Sequence, residues 1–342
     1  MNPRLLHFFL LVTLSASVAE SQVPSLDSRS RTSVDSSHTQ QSLAAKIPKE
    51  TILVKGAWSS ASDSVTPVPE AATVAQNVFS GPYFGISYTL PQDWIQEYEG
   101  PPASESGRYV LAQIGPPKTR DGPTSASMLI TAQDMFFTPL PVANALELTE
   151  YIKHHLQADY KVETPPTLIK IADRSFSFFA YWSPVAELHW YVLAVQIRCH
   201  AVQFVLTGRD TKLQDRLMLD LNEMKLPAEV SATAGDGGGP FPVCIKDYAR
   251  DENVVARVDP VFTEHRFNPV PVRIIIDKQG KIKHIHFISA FPDQAKAISD
   301  ALEQWKFKPY VSDGKPAEVE TGILFGRAPH ITAPHAAGSA LH

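Results

Sequence analysis

The chain has 342 residues, 44% hydrophobic and 20% charged, with a formal net charge of -5 and a pI near 6.2. That apolar content excludes a wholly disordered chain, and the length exceeds what one core usually fills, roughly 250 to 300 residues, so two folded parts are expected. The acidic balance offers no basic field for a phosphate backbone, which argues against nucleic acid as a partner.

Residues 1–19 read as a signal peptide. Arg4 supplies the positive end, Leu5 to Leu14 an apolar run, and Ser17-Val18-Ala19 the small residues that precede a cleavage site after Ala19. The alternative is a retained anchor, but the apolar run falls short of the roughly 20 residues that span a bilayer, so no stable membrane span is expected after cleavage. Residues 20–77 are rich in Ser, Thr, Ala and Gln and read as a disordered spacer, interrupted by the apolar patch Ile52 to Val54 and by Trp58. An exported chain reaches an oxidising compartment, which allows a bridge between Cys199 and Cys244; two separate thiols are the alternative.

Residues 78–228 alternate like an antiparallel sheet with helices packed on it. A strand is expected through Tyr83 to Leu90, stopping at Pro91, with others at Tyr109 to Ile114 and Ser127 to Ala132 on either side of a Gly- and Pro-rich turn. Ala145, Leu148, Ile152 and His155 or Leu156 recur at helical spacing. Four further strands follow, at Thr167 to Ala172, Ser175 to Trp182, His189 to Ile197 and Val202 to Thr207. Arg198-Cys199-His200 is the expected hairpin turn, and a helix carrying Leu213, Leu217, Leu221 and Met224 closes the region. The order of elements and the opening Tyr83-Phe84-Gly85-Ile86-Ser87-Tyr88-Thr89-Leu90-Pro91 resemble the PsbP-like domains, a likeness that implies a binding or accessory role.

Residues 229–240 are small and Gly-rich and read as a linker; they lack the Lys-Ser/Thr of a phosphate loop. Residues 241–328 form the next unit. Val272, Ile274 and Ile276 share a face of one strand, Asp277-Lys278-Gln279-Gly280 turns the chain, and Lys281 to Ser289 returns as a strand. Pro292 and Asp293 suit the first turn of a helix whose apolar face is Ala295, Ile298, Leu302 and Trp305. A final strand is expected over Ala317 to Phe325, and residues 329–342 read as a disordered tail.

The strand ending Ile276-Asp277, the turn closed by Gly280, the run Trp305-Lys306-Phe307-Lys308-Pro309 and Gly314-Lys315-Pro316 together resemble the TonB C-terminal domain. The fold class expected is therefore α+β in two domains, the second a small ββαβ unit. The resemblance implies an edge strand that pairs with an extended segment of an envelope protein, in a setting linked to outer-membrane transport. Val319, Thr321, Ile323 and Phe325 are the candidate partner-binding residues. The chain departs from a transducer in lacking a retained inner-membrane helix and a long Pro-rich spacer, so binding without force transmission is what remains.

No catalytic residues, cofactor or metal site is expected. His284 and His286 share a strand face but read as solvated residues between lysines, and His330, His335 and His342 lie in the tail. Hydrolase, calcium-loop and dinucleotide signatures are missing from the sequence. A periplasmic or secreted binding protein is the first reading. An envelope hydrolase with a cleft between the two domains is the alternative, since triads are recognised by geometry.

Overall fold

The computed structural model describes residues 51–53, 61–63, 67–98, 107–117, 126–138, 140–227, 241–262, 269–312 and 314–326, with the backbone alone at 51–53, 61–63 and 98. The expected signal peptide, the linker 229–240 and the tail 329–342 lie outside the described residues. What is described is mainly β, with three short α-helices. No helix among the described residues is long and apolar enough to cross a membrane.

Two strands, β1 (Thr51–Leu53) and β2 (Ala61–Asp63), come first, followed by a meander of β3 (Thr73–Ala75), β4 (Val78–Gly81) and β5 (Ile86–Thr89). The larger sheet holds β6 (Ile95–Tyr98), β7 (Arg108–Gly115), β8 (Ala126–Asp134), β9 (Lys161–Ile171), β10 (Arg174–Ser183), β11 (Leu188–Ile197) and β12 (His200–Gly208). Its spatial order is β6-β7-β8-β12-β11-β10-β9, and every pair is antiparallel. The meander and α2 (Thr211–Asp220) cover one face, burying Phe79, Tyr88, Phe176, Phe204, Leu217 and Met224 in one core. On the other face α1 (Ala145–His154) buries Leu148 against Ala194 and Ala201. Its start is set by Asn144, whose side chain accepts the Glu147 amide at 2.9 Å and satisfies a donor the first turn leaves free.

The smaller sheet is built around β15 (Val270–Ile276), buried along its whole length. It is flanked by β16 (Ile282–Phe287) and, after α3 (Pro292–Leu302), by β20 (Val319–Phe325). Its order is β1-β2-β16-β15-β20-β13, where β13 (Val243–Cys244) is a parallel pair of residues beside β20. Ile274 stands opposite Ile285 on one side and Thr321 on the other. Val272, Ile274 and Ile276 pack on Ile298 and Leu302 of α3 and on Trp305, which lies beyond the end of the helix. Short pairs complete this part: β14 (Val254–Ala256) with β17 (Lys306–Phe307), and β18 (Tyr310–Ser312) with β19 (Lys315–Ala317).

The turn after β15 depends on its glycine. Asp277 accepts the Gln279 and Lys281 amides at 2.9 and 2.8 Å, and Gly280 has φ +80. A Cβ on Gly280 would lie 2.0 Å from the Phe307 carbonyl oxygen, because β17 crosses the turn there and the Phe307 amide donates to the Gly280 carbonyl at 2.8 Å. Gly280→Ala is therefore expected to cost more than roughly 2 kcal/mol, from left-handed strain and backbone overlap together, read as a lowered urea midpoint at unchanged m.

Several expectations change. Tyr83-Phe84-Gly85 is not strand but the turn between β4 and β5, with Gly85 at φ +64. β9 starts at Lys161, not Thr167, and passes through Pro165 and Pro166. Both prolines fit because β9 is an edge strand and Phe179 alone faces them, in a bulge between Phe178 and Ala180. The spacer does not reach residue 77: Val68 and Glu70 are buried, and Thr73–Ala75 is a strand. Ala317 belongs to the β18–β19 hairpin, and the last strand starts at Val319. His284 and His286 are buried, not solvated.

Candidate functional site

The two sheets meet at a buried cluster of charges. From the larger sheet come Asp134, the last residue of β8, His200, the first of β12, and Arg198 in the turn before it. From the smaller come Arg273 on β15 and Glu320 on β20. Arg273 Nη2 donates to Asp134 Oδ2, and its Nη1 to Glu320 Oε1 at 3.0 Å. The other Glu320 oxygen accepts from Arg198 Nε at 3.0 Å and Nη2 at 2.6 Å, while the Tyr83 hydroxyl donates to Oε1. Arg198 Nη1 donates to the Tyr83 carbonyl at 3.1 Å. Asp134 Oδ1 accepts the amides of Phe136 and Phe137 at 2.7 and 3.3 Å.

Two guanidiniums thus face two carboxylates, with Asp134, Glu320 and Arg273 at 1% exposure or less. Aromatic rings complete the enclosure: Arg198 lies 3.8 Å over Tyr83 and Arg273 4.7 Å over Phe136. His200 sits 3.7 Å from Asp134 and is walled edge-on by Tyr83 and Phe84. Burial first, then the cations of Arg273 and Arg198, push its imidazole well below the ordinary value, so it is neutral and the cluster carries no net charge. Burial pushes the Glu320 carboxyl up, but Arg198, Arg273 and the Tyr83 hydroxyl outweigh it and hold the group below its usual range. A second buried pair, Glu70 with His286 at 3.0 Å, ties the residues before β3 to β16.

Such a cluster, its charged side chains at 5% exposure or less, positions the strands that carry it. Charges already matched in a buried site hold their neighbours in one arrangement, because any shift would strand a carboxylate without its cation. No group of three or more metal-ligating side chains occurs among the described residues.

The disulfide joins Cys199, buried next to Arg198, to Cys244 on β13, with Cα atoms 5.5 Å apart. It fastens β13 to the outer side of β20. Val243 N donates to the Glu318 carbonyl at 2.8 Å, Ile245 N to the Glu320 carbonyl at 3.0 Å, and the Thr321 hydroxyl donates to the Lys246 carbonyl at 3.1 Å. The final strand is therefore not a free edge along its first residues.

The side chains of Val319, Thr321 and Phe325 are buried and Ile323 is half-buried, packed towards α3. Because backbone groups alternate along a strand, the outward N–H and C=O belong to the other set, Glu320, Gly322 and Leu324. The apolar alternation in the sequence located the core face; the pairing groups lie on the residues between. Among the described residues, no strand pairs with Gly322 or Leu324 on that side. The cluster itself went unread in the sequence. Its one visible signal was Arg273 in an otherwise apolar strand, since an arginine there must bury its charge or end the strand's burial.

No family model matches the chain, and no curated protein matches it. Among solved structures, the solution structure of cyanobacterial PsbP (CyanoP) from Synechocystis sp. is similar over 47% of this chain and 98% of that one, at 13% identity and a TM-score of 0.32. None of these comparisons supports the resemblance to TonB, and PsbP is a weak structural neighbour.

Proposed function

We propose that the chain is an exported envelope protein of α+β class with two folded parts. Its smaller part, a ββαβ unit of the TonB C-terminal kind, captures an extended segment of a partner protein by pairing it to β20. The observation that carries this reading is the outer backbone of β20 at Gly322 and Leu324, with which no strand among the described residues pairs, while the other side of β20 is paired to β15. The long edge strand of the larger sheet, β9, is a poor competitor: Pro165 and Pro166 remove two donors in its middle.

Leu324→Pro is the test. Leu324 is 41% exposed and its N–H faces outward, so proline there removes a pairing donor and leaves the β15 ladder intact. A photoreactive side chain at position 324 is expected to crosslink, in the chain's own envelope, to one extended segment of another protein. A synthetic copy of that segment should then lose roughly tenfold or more in affinity for Leu324→Pro, while the urea midpoint stays put. Equal affinity for both chains would end the edge-pairing reading.

A further inference from the structure

We infer that residues 241–246 are a built-in occupant of the same edge, held there by the Cys199–Cys244 disulfide, and that reducing the disulfide vacates β20 for an extended peptide with apolar residues at alternate positions. The inference rests on the edge-pairing reading and adds its regulation.

The geometry is that of a peptide already bound. Val243 stands opposite Val319 and Cys244 opposite Glu320 in parallel register, with two backbone hydrogen bonds to Glu318 and Glu320. Residues paired across strands share a face, so Val243 and Ile245 point the way Val319 and Thr321 do, and Ile245 packs on the core of the smaller sheet. An apolar residue, one between, and a second apolar residue is therefore the pattern this edge accepts. On its own, β13 is too short to hold. Two residues of strand offer little to set against the freedom they give up.

What keeps it in place is covalent. Cys199 is buried in the tight turn where Arg198 has φ +52, so it is a fixed post, whereas Cys244 is exposed on the segment it tethers. Phe241 leans over the Arg198 guanidinium at 5.4 Å, and the Thr321 hydroxyl donates to the Lys246 carbonyl at 3.1 Å. Past residue 246 the chain is anchored again, by buried Tyr248, whose hydroxyl donates to the Lys308 carbonyl at 2.6 Å. The segment that reduction frees is thus short and bounded.

The reductant is a dithiol. One of its thiolates attacks Sγ of Cys244, the exposed residue of the pair, and Cys199 leaves as a thiolate and takes a proton. The second dithiol sulfur then displaces Cys244, which leaves as a thiol. Two electrons and two protons pass to the protein, and the dithiol ends as its own disulfide.

The test uses the full chain in three forms: oxidised, reduced with dithiothreitol, and Cys199→Ala/Cys244→Ala. Hydrogen exchange at the Val243 and Ile245 amides is expected to quicken roughly tenfold or more in the second and third forms, with Ile274 and Ile285 unchanged. A labelled peptide copying residues 241–247 with Cys244→Ser should bind those two forms and not the oxidised one. Unchanged exchange at Val243 and Ile245, equal peptide binding to all three forms, or no binding to the reduced chain would each overturn the inference. Amides that respond as expected, together with a partner segment indifferent to Leu324→Pro, would sink the edge-pairing reading and leave the lock standing.

Discussion

Arg273→Ala is expected to lower the unfolding free energy by roughly 3 to 5 kcal/mol, the range for removing one partner from a buried ion pair. Arg273 lies on the central strand of the smaller sheet at 1% exposure and donates to Asp134 and Glu320, both fully buried. Glu320 would keep Arg198 and Tyr83. Asp134 would keep only the two backbone amides of Phe136 and Phe137, and its charge would sit in the seam with no cation in direct contact. Urea denaturation of the chain with its disulfide intact reads the change. The double change Arg273→Met with Asp134→Leu is expected to restore much of the loss, because apolar groups of similar bulk carry no desolvation penalty. A loss below about 1 kcal/mol for Arg273→Ala would place the cluster in water, where ion pairs are worth that little.

The second large effect is on pH. His200 is neutral in the fold because burial, then Arg273, Arg198 and His286, hold its pKa well below the ordinary value of 6.5. The unfolded chain takes up a proton near that ordinary value and the folded one does not. Stability is thus fully present above about pH 6.5 and falls below it, by about 1.4 kcal/mol per pH unit for the one proton. Glu320, whose folded pKa is lowered, acts in the same direction further down: its contribution holds above its ordinary value of 4.5 and is lost as pH drops through the folded one. Urea midpoints between pH 7.5 and pH 5 are expected to decline, and His200→Gln to flatten that decline. A decline of the same slope in His200→Gln would assign it to other groups.

The same residues show where the sequence could be read and where it could not. The core face of β15 was legible because Val272, Ile274 and Ile276 alternate along it, and Gly280 marks its turn by the one backbone conformation other residues resist; that the strand is buried on both faces came from the structure. The helix faces of α1 and α3 were legible for the same kind of reason, a period that a single chain displays by itself. Tyr83-Phe84-Gly85 misled because its aromatic residues carry strand propensity, yet in the turn they wall His200 and reach Glu320. There tertiary packing outweighed local preference.

Local sequence therefore determined the elements, their apolar faces and the spacing of the two cysteines. Only the tertiary structure decided that Asp134, Arg198, His200, Arg273 and Glu320, drawn from four strands and a turn, converge in one buried cluster. It also decided that the outward groups of β20 belong to Glu320, Gly322 and Leu324, with β13 seated on part of that edge. Periodicity is a property of neighbours along the chain, whereas side-chain pairing and strand pairing join residues as far apart as 237 positions, and no spacing rule connects them before the sheets meet.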